Sequence, residues 1–427
     1  MERRVVITGI GPVTSIGIGK EEFFESMMGL KSEIRRIPEE YEKKYPFKSV
    51  YYVPAPEISL SRFGLPASVE NAMERAAKFC VVGAKLALMD AGLNIVDSNK
   101  YFAVEGVKTC DVVIGIGMSS IQTALTSYVS HVFEGDRETI EKFGLTARFN
   151  RMVIPMLMPD SASSWISILY GFKGANYTMN ASCASGTCAI GEAYMRIKNG
   201  LSNAAVTGGV ECLAEKYGGV MRGFDMLSTL TKSEDGNPMP FSNRRSGFLF
   251  NEGAACILLL EELESALKRG ADIYAEISGY ECNSDAFNIV QMDETGEQIK
   301  KLLVKIKGST TIDYINAHGT GTVLNDDIEA KIIRDVFGDK CDQPLINSSK
   351  GILGHSIGAS GALEAAITAM SIKKARVHGS RIDKPMENLN IVMESKSAKL
   401  DYALSTSYGF GGHNAAILFK RYGEQNG

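Results

Sequence analysis

The chain has little histidine, no paired-cysteine motif, no excess of basic charge and no long apolar run. Only five histidines occur in 427 residues, so a histidine set in a distinctive motif is a candidate for chemistry. The eight cysteines are Cys80, Cys110, Cys183, Cys188, Cys212, Cys256, Cys282 and Cys341, with no CxxC pair and no regular spacing. That pattern speaks against a disulfide framework or a zinc site and for a reducing compartment. The net charge of −4 argues against nucleic acid as the main partner. The longest apolar run, Ala254–Leu260, is far below the ~20 residues of a membrane-spanning helix. It fits a strand buried on both faces. After Met1-Glu2-Arg3-Arg4 comes only a short apolar stretch, so no secretory signal is expected. A cytoplasmic protein, off the membrane, is the expectation.

What is present is ordinary globular composition, 44% hydrophobic and 22% charged. The length exceeds one usual domain and predicts two domains or one double unit. Arg4–Thr8 reads as a buried strand ended by Gly9-Ile10-Gly11-Pro12. A dinucleotide fingerprint or a phosphate loop there needs glycine at position 14, which is Thr14. Residues 35–66 read as an irregular surface segment, 72–91 as a helix, 111–115 as a strand and 134–160 as loop-rich. The turn Gly117-Met118-Ser119-Ser120 leads into a helix through about Val132. Strand and helix patterns alternate onward to strands near 402–406 and 414–420. The expectation is an α/β fold with mainly parallel sheet, one half ending near 270 and the other beginning near 271.

The most informative stretch is Asn180-Ala181-Ser182-Cys183-Ala184-Ser185-Gly186-Thr187-Cys188. A short strand at 176–179, a turn of small residues and a helical run from Ala184 to Lys198 place Cys183 at a helix N-terminus. The partial charge there favours a thiolate, and the next backbone N–H groups can face an oxyanion. A free cysteine is more often a small buried hydrophobe, which is the reading for Cys188. Two later stretches raise the weight of Cys183. Asn316-Ala317-His318-Gly319-Thr320-Gly321-Thr322 follows a strand. Ser348-Ser349-Lys350-Gly351-Ile352-Leu353-Gly354-His355 joins a strand to a helix. In open α/β sheets such loops meet at the carboxyl ends of strands, where ligands bind. One cysteine, two histidines and one lysine, each on such a loop, form a candidate site. Ser407-Tyr408-Gly409-Phe410-Gly411-Gly412 is either a plain hairpin turn or a gate built around Phe410. His131 and His378 lack a motif and read as surface residues.

These motifs, with Lys350 and Gly409-Phe410-Gly411-Gly412, resemble those of β-ketoacyl-acyl carrier protein synthases of the I/II type. The resemblance runs from Arg3 to Phe419. It implies a thiolase-like fold, with duplicated βαβαβαββ halves in α-β-α-β-α layers. Residues 1–270 would carry the cysteine, and 271–427 both histidines and the lysine. It implies a decarboxylative Claisen condensation of an acyl group held on Cys183 with a malonyl unit. Both substrates ride on the phosphopantetheine arm of acyl carrier protein, and no metal or redox cofactor is needed. Cys183, His318, His355 and Lys350 would be catalytic, and the amides of Cys183 and Phe410 the oxyanion hole. Thr320, Thr322, Met118, Gly409 and Gly411 would contact substrate, with Glu364 supporting Lys350. The partners would be acyl carrier protein and a second copy of the chain, or a chain-length factor.

Three departures from the family pattern stand out. Ser242 and Ser246 replace aspartates, Val323 replaces a proline, and residues 66–78 carry Glu70 and Glu74 in place of a basic docking cluster. His413 stands where threonine is usual. Two alternatives stay open: the catalytic ketosynthase subunit of a type II polyketide synthase, and a non-condensing decarboxylase or structural partner.

Overall fold

The apolar run Ala254–Leu260 becomes the middle of a ten-residue strand, Gly253–Glu262, with every residue buried. The computed structural model in which it lies describes residues 3–98, 101–107, 109–118, 120–143 and 149–423. Ser119 of the expected turn, Met1 and Glu2 fall outside the described residues. Among the described residues no helix is long and apolar enough to cross a membrane.

Two sets of elements follow one plan. The first is β1 Val5–Thr14, α1 Arg75–Asp90, β2 Asp111–Ile116, α2 Ser161–Tyr170, β3 Asn176–Met179, α3 Ser185–Lys198, β4 Ala204–Cys212 and β5 Gly253–Glu262. The second is β6 Ala275–Ser284, α4 Glu297–Lys307, β7 Tyr314–Asn316, α5 Val323–Phe337, β8 Leu345–Asn347, α6 Ser360–Lys374, β9 Tyr402–Gly409 and β10 His413–Lys420. Across the sheet the strands lie β8-β7-β9-β10-β6-β1-β5-β4-β2-β3. Within each set, outward from the middle, the first strand is followed by the fifth, fourth, second and third.

The sheet is mixed rather than mainly parallel. Parallel pairing is confined to β2 with β3 and β4, and to β7 with β8 and β9. β5 pairs antiparallel with β1 and β4, β10 with β6 and β9, and β1 with β6. For β4 with β5 and β9 with β10 the cause is that no crossover helix covers the sheet between them, and parallel neighbours require such a crossover.

Five layers result, as the thiolase-like resemblance implies. α1 and α2 pack on the outer face of the first half-sheet, and α4 and α5 on that of the second. α3 and α6 lie between, in one core with strands of both halves. Ser360 through Ile372 of α6 are all buried, as expected of a helix covered on all sides. The two middle helices touch at their N-terminal ends. A Cβ on Gly361 would stand 2.1 Å from Thr187 Oγ1, and one on Gly186 2.9 Å from Ala362 N. Those two glycines allow the approach that brings together the loops preceding both helices.

Three local expectations change. β1 does not stop at Gly9 but runs to Thr14, because Gly9 and Gly11 lie beneath α1. A Cβ on Gly9 would sit 2.1 Å from Ala87 O, and one on Gly11 2.0 Å from Gly83 O. Residues 35–66 are not merely surface: Tyr51–Val53 pairs with Phe250–Asn251, and Tyr52 and Val53 are buried. The 134–160 region holds two short helices, Arg137–Lys142 and Val153–Leu157.

Candidate active site

Cys183 sits in a single 3₁₀ turn, Ser182–Ala184, ahead of α3. The turn is tight enough to put Ser182 at φ 51, an uncommon conformation for a residue with a side chain. Asn180 braces it: Oδ1 accepts from Ser182 N (3.0 Å) and Nδ2 donates to Gly117 O (2.6 Å). The hydroxyl of Ser185 donates to Ser182 O (2.7 Å) and accepts from Ala181 N (2.9 Å).

The structure brings the expected residues together. His355 Nε2 lies 3.1 Å from Cys183 Sγ. The His318 and His355 rings stand nearly perpendicular, with centroids 5.7 Å apart. Lys350 Nζ reaches His318 Nδ1 (3.2 Å), donates to His318 O (2.8 Å) and is ion-paired with Glu364 Oε1. Lys350 and Glu364 are both buried. Burial pushes the Glu364 carboxyl up to about 7, against the pull of Lys350. Both histidines are held well below the usual imidazole range, first by burial and then by the Lys350 charge. They are therefore neutral at pH 7.

The hydrogen bonds assign the His318 tautomer. An ammonium can only donate, so Lys350 takes His318 Nδ1 as acceptor and leaves the proton on Nε2. His355 Nδ1 is 3.0 Å from Ser360 Oγ, which already accepts from Ser356 N at 3.1 Å. Ser360 Oγ is also 3.2 Å from Ser356 Oγ, and where Ser360 donates to Nδ1, His355 carries its proton on Nε2 as well. Both rings can offer an N–H to a carbonyl.

Burial works against the expected thiolate. Burial pushes the Cys183 thiol up to about 11. The charge of Lys350 and the backbone N–H groups of Phe410 and Cys183 pull it down, and Glu211 pushes it further up. A partial charge at a helix end is small beside the desolvation of a residue that is 6% exposed. The two amides that pull on the thiol are the pair expected to form an oxyanion hole.

Phe410 occupies the tight connection between β9 and β10 and is half-buried. Gly409 packs on the Cys183 turn, where a Cβ would meet Ala181 O at 2.9 Å and Cys183 N at 3.1 Å. Gly411 has φ 80. Two cavities meet here. One, of about 370 Å³, is lined by His318, Thr320, Thr322, Val323 and Ser246 among others. The second, of about 550 Å³, is lined by Met118, Val220, Gly219 and Gly223 among others. Cys183, Ile357 and Phe410 line both. Thr320 and Thr322 share a hydroxyl hydrogen bond of 2.8 Å. Among the described residues, no cluster of three His, Cys, Asp or Glu side chains could hold a metal ion.

Residues 2–266 match the family model for the beta-ketoacyl synthase N-terminal domain, and 274–381 the model for its C-terminal domain. The chain belongs to the β-ketoacyl synthase family. It is 33% identical to 3-oxoacyl-[acyl-carrier-protein] synthase 2 of Staphylococcus aureus strain N315, covering 98% of this chain and 99% of the relative. It is 34% identical to 3-oxoacyl-[acyl-carrier-protein] synthase 1 of Haemophilus influenzae, covering 98% of this chain and 99% of the relative. Among solved structures, it resembles the ishigamide ketosynthase/chain length factor with TM-score 0.84 and 27% identity, covering 99% of this chain and 100% of that one. It also resembles a type II polyketide ketosynthase in complex with its acyl-carrier protein, with TM-score 0.81 and 26% identity, covering 99% of this chain and 100% of that one.

Several residues around the site of this β-ketoacyl synthase are not legible as motifs. Glu329 accepts from the backbone of His318 (2.9 Å) and Gly319 (2.8 Å), and Asp326 from that of Gly321 (3.2 Å) and Phe241 (2.8 Å). Tyr408 packs edge-on against His318, and Phe248 against His355. Glu211 is a further buried carboxyl beside the site. The one available sequence signal is a pair of acidic residues at helical spacing, Asp326 and Glu329, directly after the His318 motif.

The remaining expectations divide. His131 is exposed, but His378 is fully buried. Its ring lies between Gly379 O (2.7 Å) and Ser349 Oγ (3.2 Å), and burial lowers it to about 4. It is a satisfied core imidazole, not a surface residue. Cys188 is buried, as expected of a packing cysteine. Ser242 and Ser246 close the loop where aspartates are usual: Ser242 Oγ donates to Asp383 O at 2.6 Å, and Ser246 Oγ accepts from Lys232 N at 2.9 Å. Val323 opens α5, a first helical position where proline also fits. Glu74 turns inward and is 9% exposed, with its carboxyl pushed up to about 7 by burial. His413 is half-buried against Gly411.

Proposed function

We propose that this chain is a β-ketoacyl-acyl carrier protein synthase acting in fatty acid synthesis, with Cys183 as nucleophile. The observation that carries the reading is the convergence of Cys183, His355, His318 and Lys350 where two cavities meet. The reaction has two halves. In the first, Cys183 sulfur bonds to the acyl carbonyl carbon of a carrier-bound thioester. The amides of Cys183 and Phe410 hold the oxygen as it becomes an oxyanion. The bond to the pantetheine sulfur then breaks, and the thiol proton of Cys183 ends on that departing sulfur. The hydrocarbon rests in the Met118 cavity, whose thioether adapts to several chain shapes.

In the second half, a malonyl thioester takes the cavity lined by Thr320 and Thr322, whose hydroxyls face the arm's amides. Nε2–H of His318 and of His355 donate to its thioester carbonyl. The bond to the carboxylate breaks, CO₂ leaves, and the electron pair becomes the enolate. Charge grows on an oxygen already held by two donors, so these bonds strengthen in the transition state. The enolate carbon attacks the acyl-cysteine carbonyl, a C–C bond forms and the C–S bond breaks. One proton from solvent restores the thiol. Lys350, fixed by Glu364, keeps His318 in the donating tautomer. Phe410, lining both cavities, stands where a gate between them belongs. The reaction so written calls on no metal or redox cofactor.

The proposed partners are a cytoplasmic acyl carrier protein and a second copy of this chain. Residues 66–78 lack a basic cluster, and carrier recognition is electrostatic. That, with the likeness to a ketosynthase/chain length factor and to a type II polyketide ketosynthase, supports a second reading: the catalytic subunit of a type II polyketide synthase paired with a chain-length factor. Intact Cys183, His318, Lys350 and His355 count against a non-condensing role.

The test is product analysis by mass spectrometry, with this chain, malonyl-carrier protein and a ladder of acyl-carrier proteins. Extended β-ketoacyl products from the chain alone support the synthase reading. An acyl group trapped on Cys183 without extension moves the polyketide reading ahead. Neither acylation nor extension sinks both.

A further inference from the structure

Glu211 is the one charged residue of β4, lies near its end and is 0% exposed. Its carboxylate collects backbone N–H groups from two loops in opposite halves of the chain. Oε2 accepts from Gly117 N (3.0 Å) and Gly358 N (3.1 Å), and Oε1 accepts from Met118 N (3.1 Å). The first loop supplies Met118 to the wall of the 550 Å³ cavity. The second follows His355 and supplies Ile357 to both cavities.

The two loops are pressed together around this carboxylate. A Cβ on Gly117 would stand 2.5 Å from Glu211 Oε2, and one on Gly358 2.4 Å from Gly117 N. Ile357 is held at φ 46, a strained conformation for a β-branched residue that persists only where its surroundings enforce it. Burial pushes the carboxyl up, but amides that can only donate approach both oxygens and favour the ionised form. Three N–H groups, that of Gly358 buried and those of Gly117 and Met118 half-buried, would lose their acceptor with it, a penalty that favours this one arrangement.

We propose that Glu211 is a positioning residue that clamps the Met118 turn to the loop after His355, and so sets which acyl chains fit beside Cys183. This rests on the condensing reading above, whose substrate selection it explains. Met118 and Ile357 both line the acyl cavity, and one side chain sets the positions of both. A shift of either wall changes the fit of one methylene more than the fit of the thioester.

The test uses Glu211→Gln in the full chain. The substitution keeps the volume but turns one acceptor into a donor, so Met118 N exchanges its 3.1 Å bond for the 3.3 Å contact to the one oxygen that Gly117 N and Gly358 N already share. Acylation of Cys183 by short, medium and long acyl-carrier proteins is followed by mass spectrometry, and kcat/KM is compared across the ladder. The expected result is an acyl-length preference altered by about tenfold, the discrimination a hydrophobic pocket gains per methylene. A uniform loss across the ladder, or none, overturns the proposal and leaves a merely structural carboxylate. Glu211→Asp keeps both acceptors on a shorter stem and is expected to shift the preference in the same direction, but less.

If the unmodified chain neither acylates nor condenses, the functional reading fails, and hydrogen exchange judges the clamp separately. The amides of Gly117, Met118 and Gly358 are then expected to lose protection together in Glu211→Leu, which leaves none of them an acceptor. Unchanged protection, or loss in only one loop, overturns the clamp.

Discussion

In the N-terminal half, the turn after the second strand carries Gly117 and Met118. In the C-terminal half, the corresponding turn carries His318, Gly319 and Thr320. The third strand leads to Cys183 in one half, and to Lys350 and His355 in the other. The fourth and fifth strands are joined by residues 213–252 in one half, and by Phe410–Gly412 alone in the other. One topology thus presents corresponding loops at the same edge of the sheet. One half furnishes sulfur and apolar walls, and the other furnishes donors and a buried cation. The lesson is that a duplicated scaffold delivers loops to a common place without dictating their chemistry.

The sharpest way to break this division is to remove the sulfur. Cys183→Ala is expected to lower condensation by ~1000-fold or more, measured as β-ketoacyl product. Acyl transfer to the protein should vanish in the same variant, and product formation at the original rate would sink the assignment. Removing the donors tests the other half. His318→Ala and His355→Ala should each lower malonyl decarboxylation by ~100–1000-fold, read as released CO₂. If acylation of Cys183 survives in His318→Ala while decarboxylation fails, the two halves are separable in function.

Glu364→Leu strands the Lys350 ammonium in the interior. Breaking one side of a buried pair costs about 3–5 kcal/mol, which denaturant unfolding would register. Unchanged stability would show that Lys350 has found other partners. A smaller effect is expected at the seam between the halves. Gly409→Ala places a Cβ 2.9 Å from Ala181 O and 3.1 Å from Cys183 N. It should slow acylation by about 10-fold through a displaced oxyanion hole, with little change in melting temperature.

The last prediction concerns acid. His378 is depressed to about 4 by burial, and His318 and His355 shift the same way. A depressed histidine binds its proton more weakly when folded. Its contribution is intact above the unfolded value near 6.5 and is lost as pH falls through 4. For His378 this amounts to ~3 kcal/mol at most. His378→Gln should therefore flatten the loss of stability between pH 6.5 and 4, measured by denaturant midpoints.

The elements themselves were largely legible, because a run such as Ala254–Leu260 can only be buried, and the small residues around Cys183, His318 and His355 announce turns. The strand direction was not legible, since an antiparallel strand buried on both faces reads like a parallel one. The extension of β1 through Gly9 and Gly11 was hidden too. Glycine breaks a strand in isolation, and only the helix lying on it turns the missing Cβ into a requirement. His378 read as surface for lack of a motif, yet a single imidazole leaves no pattern when its partners, Ser349 and Gly379, lie on another loop and on the backbone.

By itself the sequence determined which side chains could react and that each would sit on a turn between a strand and a helix, because local composition controls turns and periodicity controls elements. Only the tertiary structure decided that Cys183 meets His355 at 3.1 Å, that Lys350 faces His318 and Glu364, and that Glu211 ties the two loops together. Those contacts draw on residues from both halves, and they depend on the close approach of α3 and α6 at Gly186 and Gly361. Burial then set the charges: the same packing that assembles the site desolvates its thiol and imidazoles, and outweighs the helix end that the sequence alone would have credited.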